Sequence, residues 1–200
     1  IEALPEGWSL RLAGEEVLES RRLIVALPPR LASRLLGAAL SQTLNLNVEV
    51  ERPLSPIVSV LLWSDRPLLP GPMQAFGPQR DGSQSLFHWG FQDAVEGGYR
   101  ACLVSSAAEA LAEQSSEALL NKLPAFLAAR GLPAHFQRAR VLRERSATPL
   151  FLPGSAARRA QATSVSGLAL AGDWTETGLP ATIEGAVRSG RLAVHAFPVN

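Results

Sequence analysis

A mixed α/β fold with an inserted antiparallel region is what this sequence predicts, and three observations predict it. Residues 23–27 form a solid apolar run that stops at Pro28-Pro29 and leads into a helix-compatible stretch. Residues 167–196 repeat that plan, with a short apolar strand, a Gly-Asp turn, a loop and a helix. Between them lie strand-like segments punctuated by Pro, Gly and Asp, followed by one amphipathic helix. The expected division is therefore two outer α/β segments, 1–36 and 146–200, flanking an insertion at 37–145 that carries an antiparallel sheet plus helix.

The first segment opens with alternation over residues 1–12, read as a strand pair turning at Glu6-Gly7, and Gly14 marks a further turn. The run 23–27 suits a strand covered on both faces, as in a parallel sheet. Pro29 opens a helix expected to extend to about Leu40. In the insertion, strands are expected at 48–50, 57–63, 85–90 and 100–104. A helix should follow over 108–122, interrupted by Pro124 and closed by Gly131, and then a strand at 139–144. The Ala/Arg-rich stretch 156–162 reads as a loop. The last segment holds the strand 167–171 and a helix from about 181 to 196.

Two hundred residues, 46% apolar and 18% charged, describe a globular chain long enough to bury a core. The net charge of +1 offers no electrostatic footprint for nucleic acid. Neither of the longest apolar runs, 57–63 and 167–171, could span a bilayer, and Ile1 opens no signal-peptide pattern. Cys102 is the single cysteine, which rules out an intrachain disulfide, and no His/Asp/Glu spacing suggests a metal site. Eighteen arginines against one lysine, Lys122, suggest a GC-rich bacterial coding sequence. The chain starts on Ile, in the middle of a strand pair, and the expectation is a piece of a longer protein.

The segment that carries chemistry is LALAGDWTETGLPATIEGAVRSGRLAV, residues 168–194. Ligands of open α/β sheets bind beyond the carboxyl ends of the strands, where Gly172-Asp173 falls. A glycine there lets backbone approach a ligand, and the Asp173 carboxylate can accept hydrogen bonds from sugar-type hydroxyls. The following helix turns its free N–H groups and positive dipole end toward the same place, with Glu184 in its first turn. Gly185 and Ser189, and Ala186 and Gly190, leave one side of it small. Taken feature by feature, the same residues also describe an ordinary strand, loop and closely packed helix.

The string GDWTETGLPATIEGAVRSG resembles the C-terminal signature of FAD-dependent oxidoreductases of the amine oxidase and phytoene desaturase superfamily, in particular the desaturases and dehydroxylases of the squalene and carotenoid type. More weakly, 23–29, 56–63 and 143–154 fit the same superfamily, so the whole chain can be placed. The resemblance implies a flavoprotein in which 1–36 and 146–200 belong to the FAD-binding domain and 37–145 to the substrate domain. It implies cofactor contacts at Gly172, Asp173, Thr175, Leu179, Pro180, Thr182, Ile183, Glu184 and Ala186. The family's G-x-G-x-x-G strand–turn–helix does not occur in this sequence. The N-terminal half of the FAD domain is thus an expected partner, without which this piece should hold FAD poorly.

Amine oxidases of this superfamily set aromatic residues beside the flavin and often use a lysine. Here the matching C-terminal position is Thr182, the only tyrosine is Tyr99, and Lys122 lies on the expected amphipathic helix. The resemblance therefore implies an apolar isoprenoid substrate, with reductive dehydroxylation of hydroxysqualene to squalene in hopanoid biosynthesis as the leading reaction. The alternatives are a carotenoid-type desaturase, another flavin amine oxidase, and a noncatalytic half-protein completed by another chain. His88, beside Trp89, is the one candidate to assist loss of hydroxide, although a partly buried strand histidine is the commoner explanation. Such an enzyme is expected in the cytoplasm, with the apolar loop 67–73 a candidate for peripheral membrane contact.

Overall fold

A computed structural model describes residues 1–78, 85–155 and 157–197. Residue 156, the first of the Ala/Arg-rich stretch, lies outside them. The chain divides into two compact units, one made of Ile1–Pro53 and Pro149–Asn200 and the other of Leu54–Thr148. The expected boundary at 36/37 falls inside a helix of the first unit, because α1 (Pro29–Thr43) continues past a kink at Gly37.

In the first unit, β1 (Glu2–Leu4), β2 (Gly7–Arg11) and β3 (Val17–Ser20) form an antiparallel meander. The turn falls at residues 5 and 6, one position before the expected Glu6-Gly7, since Gly7 already opens β2, whereas β3, exposed along its whole length, has no buried face to give it a pattern. A separate parallel pair joins β4 (Leu23–Val25) to β10 (Leu168–Leu170) in register Leu23↔Leu168 through Val25↔Leu170. Side chains of a strand alternate between faces. Leu168 and Leu170 accordingly enter a core with Trp8, Val25, Trp174 and the α1 residues Ala32 and Leu36. Ala169 and Ala171 turn the other way and meet Ala193 of α5 (Ile183–His195). The pair is thus covered by a helix on each face. On the alanine side, Gly185, Ser189 and Ala193 make the buried stripe that lets α5 come close.

One local expectation fails in this unit. Residues 48–50 alternate like a strand but belong to the helical turn α2 (Asn47–Val50). The turn directs the buried Glu49 carboxylate onto Arg52, at 2.9 and 3.1 Å, and the Arg52 guanidinium lies 4.4 Å over the Phe151 ring. A buried ion pair fixes the conformation there, and a tripeptide pattern carries no trace of it.

The second unit is a five-stranded sheet ordered β6-β7-β8-β5-β9, with β5 (Leu54–Ser64), β6 (Met73–Ala75), β7 (Trp89–Val95), β8 (Gly98–Ser105) and β9 (Arg138–Pro149). Its covered face packs Val60, Leu62, Ala101 and Leu103 against Leu123, Phe126 and Leu127 of α4 (Ser116–Ala128). Phe126 meets Phe76 and Phe87 edge to face, each at 5.2 Å between ring centres. The expected strand 85–90 is displaced to β7, whose alternation continues to Val95. The expected helix 108–122 is two, α3 (Glu109–Ala112) and α4, because the Ser115 hydroxyl accepts from Ala118 N–H at 3.1 Å and restarts the helix. Pro124 does not interrupt α4, which runs on to Ala128.

The loop 67–73 does not present its leucines. Leu68 and Leu69 are buried, and both N–H groups donate to Gln92 Oε1, at 2.7 and 3.0 Å. On the opposite face of the sheet, strand register aligns Met73, Phe91, Cys102 and Leu61 in one row and Ala75, Trp89, Val104 and Ser59 in the next. Met73, Trp89 and Phe91 are exposed there. Among the described residues, no helix is long and apolar enough to cross a membrane.

Candidate functional site

The carboxyl end of β10 runs directly into Gly172, whose φ of 149° leaves room only for hydrogen, since a Cβ would stand 2.2 Å from Trp174 Nε1. The backbone of Gly172 is fully engaged. Its N–H donates to Ser189 Oγ at 2.8 Å, and its carbonyl accepts from Thr175 Oγ1 at 2.8 Å and Thr175 N at 3.1 Å. Glycine here lets the Trp174 indole close against the turn, and donation to any ligand must come from elsewhere. Trp174 is buried beneath the turn and donates from Nε1 to Leu27 O at 3.1 Å, tying the loop to the end of β4.

Asp173 is half-buried. Burial pushes its carboxyl above the ordinary value, while its own N–H, the Arg158 guanidinium and the Trp174 N–H pull it back. Farther along, Thr182 caps α5, its Oγ1 accepting from Gly185 N–H at 3.2 Å. Ala186 N–H bonds to Thr182 O, so Ile183 and Glu184 N–H remain as the first-turn donors facing out of the helix end. The Ile183 side chain is 86% exposed beside them. A Cβ on Gly185 would stand 2.7 Å from Pro180 O, so the helix start and the loop are in direct contact.

Gly172, Asp173, Leu179, Pro180, Thr182, Ile183, Glu184 and Ala186 therefore belong to one continuous turn, loop and helix start. Thr175 belongs to it differently, being fully buried with its hydroxyl spent inside the loop. His88 lies in the other unit, where its Nδ1 accepts from Ser106 N–H at 3.3 Å. Lys122 Nζ is exposed and hydrogen-bonded to Gln114 Oε1 at 2.6 Å. Of the expected contacts, Asp173, Ile183 and Glu184 carry groups whose chemistry suits a flavin, whereas Thr175 and the Gly172 backbone are spent on the loop itself. The free helix-end donors suit an electron-rich ring edge, the exposed isoleucine suits a flat apolar ring, and the carboxylate suits a polyol chain.

Three side chains whose bracing role the sequence did not flag hold this element. Ser189 holds Gly172, Gln161 Nε2 donates to Thr175 Oγ1 at 3.1 Å and Glu176 O at 2.6 Å, and Arg158 Nη1 donates to Leu179 O. Gln161 and Arg158 had no local signal, since their partners lie 14 to 21 residues away. The four-residue spacing of Gly185 and Ser189 did point to Ser189, as a small packing residue, and the structure adds Ala193 to that stripe.

A family profile described as flavin containing amine oxidoreductase matches residues 1–196. Hydroxysqualene dehydroxylases of Rhodopseudomonas palustris and Sinorhizobium fredii are 50% and 47% identical to the chain over 64 residues. Those residues are 32% of this chain and 15% of each relative. Among solved structures, cyclohexylamine oxidase from Brevibacterium oxydans superposes with a TM-score of 0.61 at 16% identity, over 96% of this chain and 45% of that one. A redesigned putrescine oxidase superposes with a TM-score of 0.62 at 18% identity, over 97% and 46%. At such identities the likeness is one of fold, and the chain spans less than half the length of either structure.

Proposed function

Because this chain belongs to the flavin-containing amine oxidoreductase family, we propose that it forms the flavin-contacting end of an FAD-dependent enzyme that converts hydroxysqualene to squalene. The observation that carries the cofactor part is the joined turn and helix start, in which Asp173 follows the end of β10 and one loop leads to the Ile183 and Glu184 N–H groups and the exposed Ile183 side chain. Asp173 would accept hydrogen bonds from the ribityl hydroxyls, and the α5 N-terminus would meet the pyrimidine edge of the ring. Bound and reduced, FAD supplies the hydride equivalent that replaces the departing hydroxyl.

The substrate part is supported by the two hydroxysqualene dehydroxylases and by the charge-free rows that the sheet of the second unit exposes. Lys122, engaged with Gln114, gives no support to amine oxidation. His88 remains the candidate for assisting departure of hydroxide, its Nδ1 occupied by a backbone donor. The Gly-rich half that cradles the pyrophosphate is assigned to a segment outside this sequence, in line with the part of each matched structure that this chain does not cover. A cytoplasmic enzyme touching the inner membrane face would suit so apolar a substrate, and loop 67–73 offers it prolines and Met73 rather than leucines.

The test is anaerobic incubation of the full-length protein with hydroxysqualene and reduced FAD, followed by mass analysis of the lipid extract. Squalene formation is the expected result. Dehydrogenation of a carotenoid precursor with oxidised FAD, and no squalene, would replace this reading with a desaturase. No turnover of either would overturn both isoprenoid readings and leave another flavin amine oxidase or a noncatalytic half-protein.

A further inference from the structure

We propose that the return segment 158–161 is the positioning element of this cofactor site, with Arg158 and Gln161 setting the loop that follows Gly172. The proposal rests on the flavin reading of the loop. This segment lies between the end strand and the loop and is hydrogen-bonded to both. On the strand side, Leu170 N–H donates to Gln161 O at 2.9 Å, and Ala162 bridges Ala169. On the loop side, Arg159 bridges Thr175 in parallel, and Glu176 N–H donates to Arg159 O at 2.8 Å.

The side chains continue the same hold. Gln161 is 8% exposed and spends its amide on Thr175 Oγ1 and Glu176 O, while Thr175 in turn holds Gly172 O. Arg158 holds Leu179 O, four residues before the helix start at Ile183, and its guanidinium is stacked 3.8 Å over Phe151. A stacked guanidinium has few rotamers left, so this bond fixes the loop's far end instead of following it. The two ends of the loop are therefore held from one short segment. Asp173 and the Ile183 and Glu184 donors stay in fixed relation before any ligand arrives, which lowers the ordering entropy of binding.

The experiment is a fluorescence titration of the full-length protein with FAD for the parent and the variants Arg158→Gln, Arg158→Lys and Gln161→Met. Each of Arg158→Gln and Gln161→Met should weaken binding about tenfold, as loss of one or two hydrogen bonds implies. Arg158→Lys, which can still donate to Leu179 O, should recover most of the affinity that Arg158→Gln loses. Parental affinity in both neutral variants overturns the positioning proposal alone. Equal losses in Arg158→Gln and Arg158→Lys overturn the part given to Arg158. No FAD binding by the parent overturns the flavin reading and the proposal with it. Should Arg158→Gln fail to fold by circular dichroism, Gln161→Met still decides, parental affinity there overturning the hold on the loop.

Discussion

Asp173 shows how a ligand-binding group can weigh on the protein that carries it. Its folded-state pKa is raised, first by burial, so the charged form is less favourable folded than unfolded. The stability linked to this group is complete below the ordinary carboxyl range and is lost as pH rises through the folded value. Asp173→Asn is therefore expected to melt at a higher temperature than the parent at neutral pH. That advantage should vanish in acid, where both side chains are neutral, and FAD binding should weaken at neutral pH. Thermal melts at the two pH values, paired with a flavin titration, check both halves; a lower neutral melting temperature would contradict the burial argument. Gly172 was expected from the sequence to let a ligand approach, and the group that closes on it is the Trp174 indole. The engagement of the Gly172 N–H by Ser189 was not legible, because that partner lies 17 residues away on another element.

At the scale of the element, α5 is held by smallness. Gly185, Ser189 and Ala193 are its buried stripe, and Ala169 and Ala171 form the matching surface of β10. A larger side chain has nowhere to go in such a contact, since packed interiors absorb added volume poorly. Ala193→Leu should destabilise the protein by about 1–3 kcal/mol in urea unfolding with an unchanged m-value. It should also weaken flavin binding, because the helix start moves with the helix; a stable variant with parental affinity would show that α5 can shift without consequence. The strand, turn and helix over 167–196 was readable because apolar run, Gly-Asp turn and helical spacing all agree. The turn at Asn47–Val50 was not, since its conformation depends on the Glu49–Arg52 pair and on Phe151, about a hundred residues along the chain. Similarly, residues 108–122 read as a single helix because both pieces keep helical spacing, and only the Ser115 cap separates them.

For the molecule as a whole, the insertion reads correctly as antiparallel sheet plus helix, but its first boundary lies at 53/54, since α1 and α2 remain with the first unit. Each unit has its own large buried core, one around Trp8, Leu170 and Trp174, the other around Phe76, Phe87 and Phe126. Phe126→Ala should remove both edge-to-face contacts and leave a cavity, at a cost of about 3–5 kcal/mol. Calorimetry should show a transition assigned to the Leu54–Thr148 unit moving down, with the other unit's transition unmoved. A single transition shifted as a whole would mean that the two units unfold as one.

Two indole hydrogen bonds give the first unit an order of events. Trp8 Nε1 donates to Gly167 O across 159 residues, and Trp174 Nε1 donates to Leu27 O across 147. The parallel partner of β4 likewise lies beyond the whole second unit. During synthesis the chain emerges amino end first, so Trp8 and β4 leave the ribosome long before the strand and carbonyls they need. The second unit, contiguous in sequence, can condense while they wait, and by doing so it brings the two halves of the first unit within reach of each other. The cofactor loop, which closes on Leu27 and is braced from residues 158–161, is then among the last parts to take shape. Ribosome-bound chains stopped before β10 should accordingly keep Trp8 open to quenchers even when the inserted sheet has already formed.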